Sequence, residues 1–255
     1  MNLVLQNVAF TYPSTAVLNG VSFHLNEGEV LAIVGKNGSG KSTLMKCINR
    51  ILKYQSGNIS VHHEEVKTMR RKEIAKKMAY HPQKTFYDFP VTVFDTVLMG
   101  RYPHSSWNGD KKDDQRVWDV LKTLGLENLA LRDYNEISGG QQQKVIIARA
   151  LVQEAKILLL DEPTSDLDIR YQLEVMEIIK RLVKEKEISA IIAIHDLNLA
   201  SKYCDRVAML HNGIIFSAGT PREVLTPENI AGIYGVDASV REHEGVLHII
   251  PNRPI

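Results

Sequence analysis

Residues 35–43 read Gly-Lys-Asn-Gly-Ser-Gly-Lys-Ser-Thr, directly after the apolar run Val30–Val34 and before Leu44, Met45 and Ile48. That order is strand, glycine-rich loop, helix, the context a phosphate-binding loop needs. Gly35, Gly38 and Gly40 permit a tight turn that also carries Lys36, Asn37 and Ser39, with backbone N–H groups facing inward. Those groups and the helix N-terminus can cradle a triphosphate. Lys41 would reach the β- and γ-phosphates, the Ser42 hydroxyl would hold Mg²⁺, and the Thr43 hydroxyl could bond the α-phosphate.

A second constellation stands at the end of the apolar run Ile157–Leu160, where two acids follow, Asp161 and Glu162. Beside a phosphate-binding loop, Asp161 at the strand end would face Mg²⁺ through water. Glu162, one residue on, would address an attacking water as general base. A third is Ile137-Ser138-Gly139-Gly140-Gln141, heading a helix that continues through Ile146, Ile147, Ala150 and Leu151. A serine and two glycines at a helix N-terminus can make another phosphate-facing surface, or simply an ordinary N-cap with clearance. One nucleotide does not need two such surfaces from one chain, which makes a dimer attractive.

The elements that must position these residues are legible from periodicity. Leu3–Phe10 and Val21–Leu25 read as strands around a turn at Pro13-Ser14, Val30–Val34 as a buried strand, and residues 42 to about 52 as the helix after the loop. Gly57–Val61 reads as a short strand and Arg70–Lys77 as a basic helical piece. Lys111–Gly125 is amphipathic, with Val117, Val120, Leu121 and Leu124 on one face. The region 86–154 has helical periodicity and few strand signals. The fold class expected is therefore α/β, a mixed sheet with flanking helices, an N-terminal antiparallel β part and an inserted helical subdomain. Ile157–Leu160 is too short for a helix and suits a central parallel strand. Helical spacing follows through Leu173, Met176, Ile179, Leu182 and Val183, then a second buried strand at Ile188–Ile194. Val207–Leu210 and Ile214–Ser217 flank a tight Asn212-Gly213 turn. Pro221 and Pro227 mark helix starts, the latter after Thr226 as N-cap. Residues 238–251 read as a hairpin about Glu244-Gly245. The whole chain, 1–255, is expected to be one domain, with the helical insert at about 86–154 and the hairpin extension at about 238–255.

Bulk composition narrows the partners. Formal net charge is +1, from 31 basic and 30 acidic side chains, which argues against nucleic-acid binding through a broad basic face. Cys47 and Cys204 fit no metal spacing and no disulfide framework, as expected in a reducing compartment. No basic start followed by an apolar stretch marks the N-terminus, so no signal peptide is expected. The longest apolar runs are too short to span a bilayer, so any membrane role is expected to come through a partner. His62-His63 reads as a solvated pair, and His243 and His248 as flanks of the hairpin.

Taken together, the motifs resemble the nucleotide-binding subunit of an ATP-binding cassette (ABC) transporter, a P-loop NTPase. Ile137–Gln141 is similar to that family's signature, usually written Leu-Ser-Gly-Gly-Gln, and the resemblance runs motif by motif along essentially the whole chain. It implies that Tyr12 stacks on adenine and that Gln83, in Tyr80-His81-Pro82-Gln83, touches Mg²⁺ and the membrane partner. It implies that Ser165-Asp166-Leu167-Asp168 crosses a dimer interface, with Asp168 near the nucleotide, and that His195 contacts the γ-phosphate. The expected cofactors are ATP and Mg²⁺. Two copies would face head to tail, each ATP lying between one chain's phosphate loop and the other's Ser138–Gln141. Some positions depart from the common pattern: Ile137 for leucine, Lys36 where proline is frequent, Asp166 where alanine is frequent, and Gln142-Gln143-Lys144 after the signature. None removes a required chemical group.

Met99-Gly100-Arg101-Tyr102-Pro103-His104 resembles the subgroup of importers that take up iron–siderophore, haem or cobalamin. The resemblance then implies a homodimer of ATPase subunits on an integral membrane permease, at the cytoplasmic face of the membrane, with an extracytoplasmic substrate-binding protein acting indirectly. A soluble ABC ATPase in cofactor or cluster assembly is the alternative, and a small-molecule kinase would have no use for the signature.

Overall fold

The structure is a computed structural model that describes residues 1–83, 87–104 and 111–255. Strands β1 (Leu3–Tyr12) and β2 (Thr15–Leu25) form an antiparallel hairpin through Pro13-Ser14. Both run on to the turn, further than their apolar cores suggest, because Tyr12 pairs with Thr15 and Thr11 with Ala16. Strand β3 (Val30–Val34) is buried throughout and leads into α1 (Lys41–Ile48). The helix stops before Leu52, since Asn49 caps it and Arg50 turns into the left-handed region at φ 53°. Strands β4 (Ser56–Val61) and β5 (Glu64–Glu65) follow, joined by a turn at His62-His63. A four-stranded antiparallel sheet results, in the order β2-β1-β4-β5.

Helix α2 (Arg71–Lys77) runs straight into β6 (Met78–His81). The next described segments are helical: α3 (Val93–Leu98), a 3₁₀ turn at Met99–Arg101, α4 (Lys111–Thr123), short turns at Glu127–Leu129 and Tyr134–Glu136, and α5 (Gly139–Leu151). Phe86, where the sequence reading begins the helical insert, lies outside the described residues. Within this stretch Gly100 passes so close to α5 that a β-carbon would sit 2.2 Å from the Arg149 carbonyl oxygen. Arg101, 3% exposed, binds Asp113 of α4 at 2.8 Å, and its other nitrogen binds the Val152 carbonyl and Glu154 at 2.7 Å. His104 lies 2.8 Å from the Gln153 carbonyl. Thus Gly100, Arg101 and His104 clamp this segment onto the end of α5. A buried arginine with both charge and carbonyl partners is costly to disturb, because removing one partner strands the other.

Strands β7 (Ile157–Asp161) and β8 (Ser189–Ala193) flank α6 (Ile169–Lys186), and α7 (Leu197–Tyr203) precedes β9 (Arg206–His211) and β10 (Ile214–Gly219). They complete a six-stranded sheet in the order β10-β9-β3-β8-β7-β6, parallel except for the β10 edge. The continuous apolar strands follow from burial on both faces. On one face Leu31, Ile33, Leu159 and Ile191 join α1 and the antiparallel sheet. On the other, Ala32, Val34, Leu158, Leu160 and Ile192 join the helices. Helices α8 (Pro221–Val224) and α9 (Pro227–Tyr234) begin at the two prolines, with Thr220 and Thr226 as caps. The chain ends in the hairpin β11 (Val236–His243) and β12 (Val246–Pro254), which packs on α9 and α7. Among the described residues no helix is long and apolar enough to cross a membrane.

Candidate active site

Four neighbouring parallel strands, β3, β8, β7 and β6, end on the same edge of the sheet. Their C-terminal ends deliver Gly35, His195, Asp161-Glu162 and Gln83. Ligands of open α/β sheets bind beyond these carboxyl ends.

The phosphate loop is built from close backbone approaches. Gly35, Gly38 and Gly40 have φ of 153°, 79° and 103°. A β-carbon on Gly35 would lie 2.3 Å from the Leu210 carbonyl oxygen, and one on Gly40 would lie 2.9 Å from Val17. Lys36, Asn37 and Ser39 complete the loop, closed by a Ser39 N–H bond to the Lys36 carbonyl at 3.1 Å. Lys41 is 5% exposed and donates to the carbonyls of Gly35 at 2.9 Å and Lys36 at 3.1 Å. Burial lowers its pKa, while Glu162 and Asp161 oppose that shift. Asn37, Gly38, Gly40, Lys41, Ser42, Thr43, Glu162 and Val17 line one cleft. Val17 escapes sequence reading because it is an apolar strand residue like many others.

Asp161 is 1% exposed, with Ser42 donating to one carboxylate oxygen at 2.9 Å and Tyr80 to the other at 3.1 Å. Burial raises its pKa, partly offset by those two bonds. Glu162 sits at φ 52°, a left-handed backbone that a non-glycine residue adopts at some cost. Its two carboxylate oxygens are held separately, one by His195 Nε2 at 2.5 Å and one by the Gln83 amide at 2.6 Å. The structure therefore brings Lys41, Ser42, Gln83, Asp161, Glu162 and His195 into one cluster. Ser42, Asp161 and Gln83 offer hard oxygen donors, and a buried carboxylate lacking full compensation is what a divalent cation would relieve. That donor set fits Mg²⁺.

The remaining sequence-predicted residues lie outside this cluster. Tyr12 is 39% exposed at the β-hairpin, with its ring edge-on to Phe10 at 4.8 Å and 88°. Ser138 caps α5, and its side chain and that of Gln141 bond each other's backbone N–H at 3.4 and 3.0 Å. Gly139 has open space around it, whereas Gly140 abuts the Tyr171 ring. Asp168 caps α6 through the Tyr171 N–H at 3.1 Å. None of these side-chain bonds reaches the cluster.

Residues 18–165 match the family model described as ABC transporter. The chain belongs to this family. It is an ATP-binding ATPase with the α/β cassette fold. It is 49% identical to an uncharacterized ABC transporter ATP-binding protein of Methanocaldococcus jannaschii, over 98% of both chains. It is 37% identical to a petrobactin import ATP-binding protein of Bacillus anthracis, covering 98% of this chain and 92% of that one. Among solved structures, a chain of a metal-chelate type ABC transporter in an inward-facing conformation superposes with a TM-score of 0.87 at 30% identity. That superposition covers 98% of this chain and 97% of the other.

Two further residues of the ABC cassette were not apparent from sequence. Tyr80 holds Asp161, and His81, 1% exposed, faces Gln143 of α5 at 3.0 Å. Nothing in the spacing signals either, because both belong to a four-residue strand without alternation.

Proposed function

We propose that this chain is the ATP-hydrolysing subunit of an importer for metal chelates of the iron–siderophore, haem or cobalamin class. It would work as a homodimer on an integral membrane permease at the cytoplasmic face of the membrane, with an extracytoplasmic substrate-binding protein delivering the cargo. The observation that carries the ATPase mechanism is the suspension of Glu162 between Gln83 and His195, next to Lys41, Ser42 and Asp161. The cargo class is supported by the likeness to a petrobactin import protein and to a metal-chelate type transporter.

The chemistry follows from those positions. Tyr12 stacks on the base, and the loop N–H groups of residues 35–43 hold the phosphates. Lys41 exchanges its two carbonyl partners for phosphate oxygens, a charge-assisted gain. Ser42, Asp161 and Gln83 would hold Mg²⁺, which would supply charge neutralisation for the triphosphate. His195 leaves Glu162 for the γ-phosphate. Glu162 then has a free oxygen to accept the proton of the attacking water. Ser138, Gly139, Gly140 and Gln141 of a second chain, with Asp168 at the seam, close the other side of the triphosphate. Charge on the transferring group must be met from all sides. Exposed Phe89, Met99 and Tyr102, near Gln83 in sequence, provide apolar surface for a permease helix.

The test is to purify tagged Glu162→Gln protein from its native membranes with Mg-ATP and identify what accompanies it. The variant should bind ATP, stall hydrolysis and co-purify with a polytopic permease whose identity narrows the cargo. Recovery of soluble partners alone from well-extracted membranes would replace the importer reading with a soluble ABC ATPase.

A further inference from the structure

Strand β6 has four residues and lies at the edge of the six-stranded sheet, so a single backbone ladder, to β7, holds it. Its last two residues add side-chain bonds on opposite faces, as alternation along a strand dictates. Tyr80 reaches Asp161 on one side. On the other, His81 Nε2 lies 3.0 Å from the Gln143 amide nitrogen, in the second turn of α5. An amide nitrogen only donates, so the ring nitrogen accepts and the ring proton resides on Nδ1. Burial favours this neutral ring, with a pKa lowered to about 4 and Arg149 adding to the shift.

Nδ1 is itself buried without a well-formed partner. Burying a polar ring costs more than burying an apolar side chain of similar size, so the imidazole is a costly choice for packing alone. The side-chain bond it makes is the one to Gln143. That bond has a consequential address. Pro82 follows and keeps His81 extended, and Gln83 comes next with its amide on Glu162. At the other end, α5 begins with Ser138, Gly139 and Gly140.

We propose that His81 is a positioning residue that ties the seating of α5 to the placement of Gln83 on Glu162. The helix that presents Ser138–Gln141 to a partner thereby reports its position to the general base. Glu162 is freed and aligned when α5 is seated against a second chain, and held when it is not. The inference rests on the reading of Gln83, Glu162 and Ser138–Gln141 as parts of one composite ATPase site.

The experiment uses the full chain with His81→Leu, Gln143→Leu, the double variant and His81→Gln. Binding of a fluorescent ATP analogue, kcat, KM for ATP and melting temperature are measured for each. His81→Leu should lower kcat about tenfold while analogue affinity and KM stay within about twofold. Gln143→Leu should do the same, and the double variant should be no worse than either single one, as expected for two ends of one link. His81→Gln restores an acceptor and should regain most of the turnover. Unchanged kcat in His81→Leu overturns the proposal. So does a double variant that multiplies the two losses, or a joint fall in kcat, affinity and melting temperature that His81→Gln does not relieve. Glu162→Gln assayed alongside separates the two readings. Retained turnover there removes the composite site itself. A stalled Glu162→Gln beside a fully active His81→Leu removes only the role of His81.

Discussion

The phosphate loop and the start of α5 are both glycine-rich helix entries, yet they are built in opposite ways. In the loop, Gly35, Gly38 and Gly40 carry positive φ, and two of them press against Leu210 and Val17. At α5 neither Gly139 nor Gly140 has positive φ, and Gly139 faces open space. The polar side chains differ as well. Lys41 and Ser42 point into the cluster, while Ser138 and Gln141 are spent on each other in a capping box. One entry is a finished cradle inside the chain. The other is a stabilised helix end whose bare Gly139 meets open space among the described residues. On the proposed function, a preorganised anion site and a half-site would differ in which glycines are strained and which are merely bare.

The largest effect that tests this contrast comes from paired alanines. Gly35→Ala would force a β-carbon against the Leu210 carbonyl at a φ that disfavours it. It should cost about 3 kcal/mol and abolish ATP binding by the monomer, read by chemical denaturation and calorimetry. Gly139→Ala should leave monomer stability within about 0.5 kcal/mol and monomer ATP binding intact. Its deficit should appear only in the ATP-dependent dimer formed in a Glu162→Gln background. Equal losses of ATP binding in the two variants would erase the distinction.

Ser138→Arg sharpens the same point at smaller cost to the fold. Losing the cap removes about 1 kcal/mol from α5, and the new side chain blocks the outward face. Monomer affinity for ATP should be spared while the ATP-dependent dimer disappears from size-exclusion profiles. An intact dimer would mean that the start of α5 does not face a second chain.

How much of this was legible in the sequence depends on where the signal resides. Val30–Val34 reads as a strand to the residue, because both faces are buried and no polar residue interrupts it. The Asn212-Gly213 and Glu244-Gly245 turns read correctly because their chemistry is local: each pair has positive φ. β6 carries no such signal, since Met-Ala-Tyr-His offers neither alternation nor length, and its strand character comes from pairing with β7. The sequence pattern runs past the end of α1 because Ile51 and Leu52 prolong the apolar spacing while Arg50 leaves the helix. At the site, Lys41, Ser42, Asp161 and Glu162 carry their own context. Tyr80, His81 and Val17 do not, since their positions depend on strands distant in sequence. The left-handed backbone of Glu162 has no local signature at all.

The smallest effect separates the two regions by pH. Behind α5, His81 is held neutral, with its pKa lowered from 6.5 to about 4, chiefly by burial and then by Arg149. The folded ring therefore binds fewer protons than the unfolded one between those values. Its contribution to stability is complete above pH 6.5 and is lost as the pH falls toward 4, with a slope of at most about 1.4 kcal/mol per pH unit. In the phosphate loop, by contrast, burial lowers the Lys41 pKa while Glu162 and Asp161 oppose the shift. Denaturation of wild type and His81→Leu between pH 7 and 5 should show the wild type losing stability faster, with the difference traceable to one proton. Because His81 packs on Gln143, hydrogen exchange in α5 should accelerate over that interval before exchange in α1 does. Simultaneous loosening of both helices would mean that His81 is linked to the fold as a whole rather than to the helix it touches.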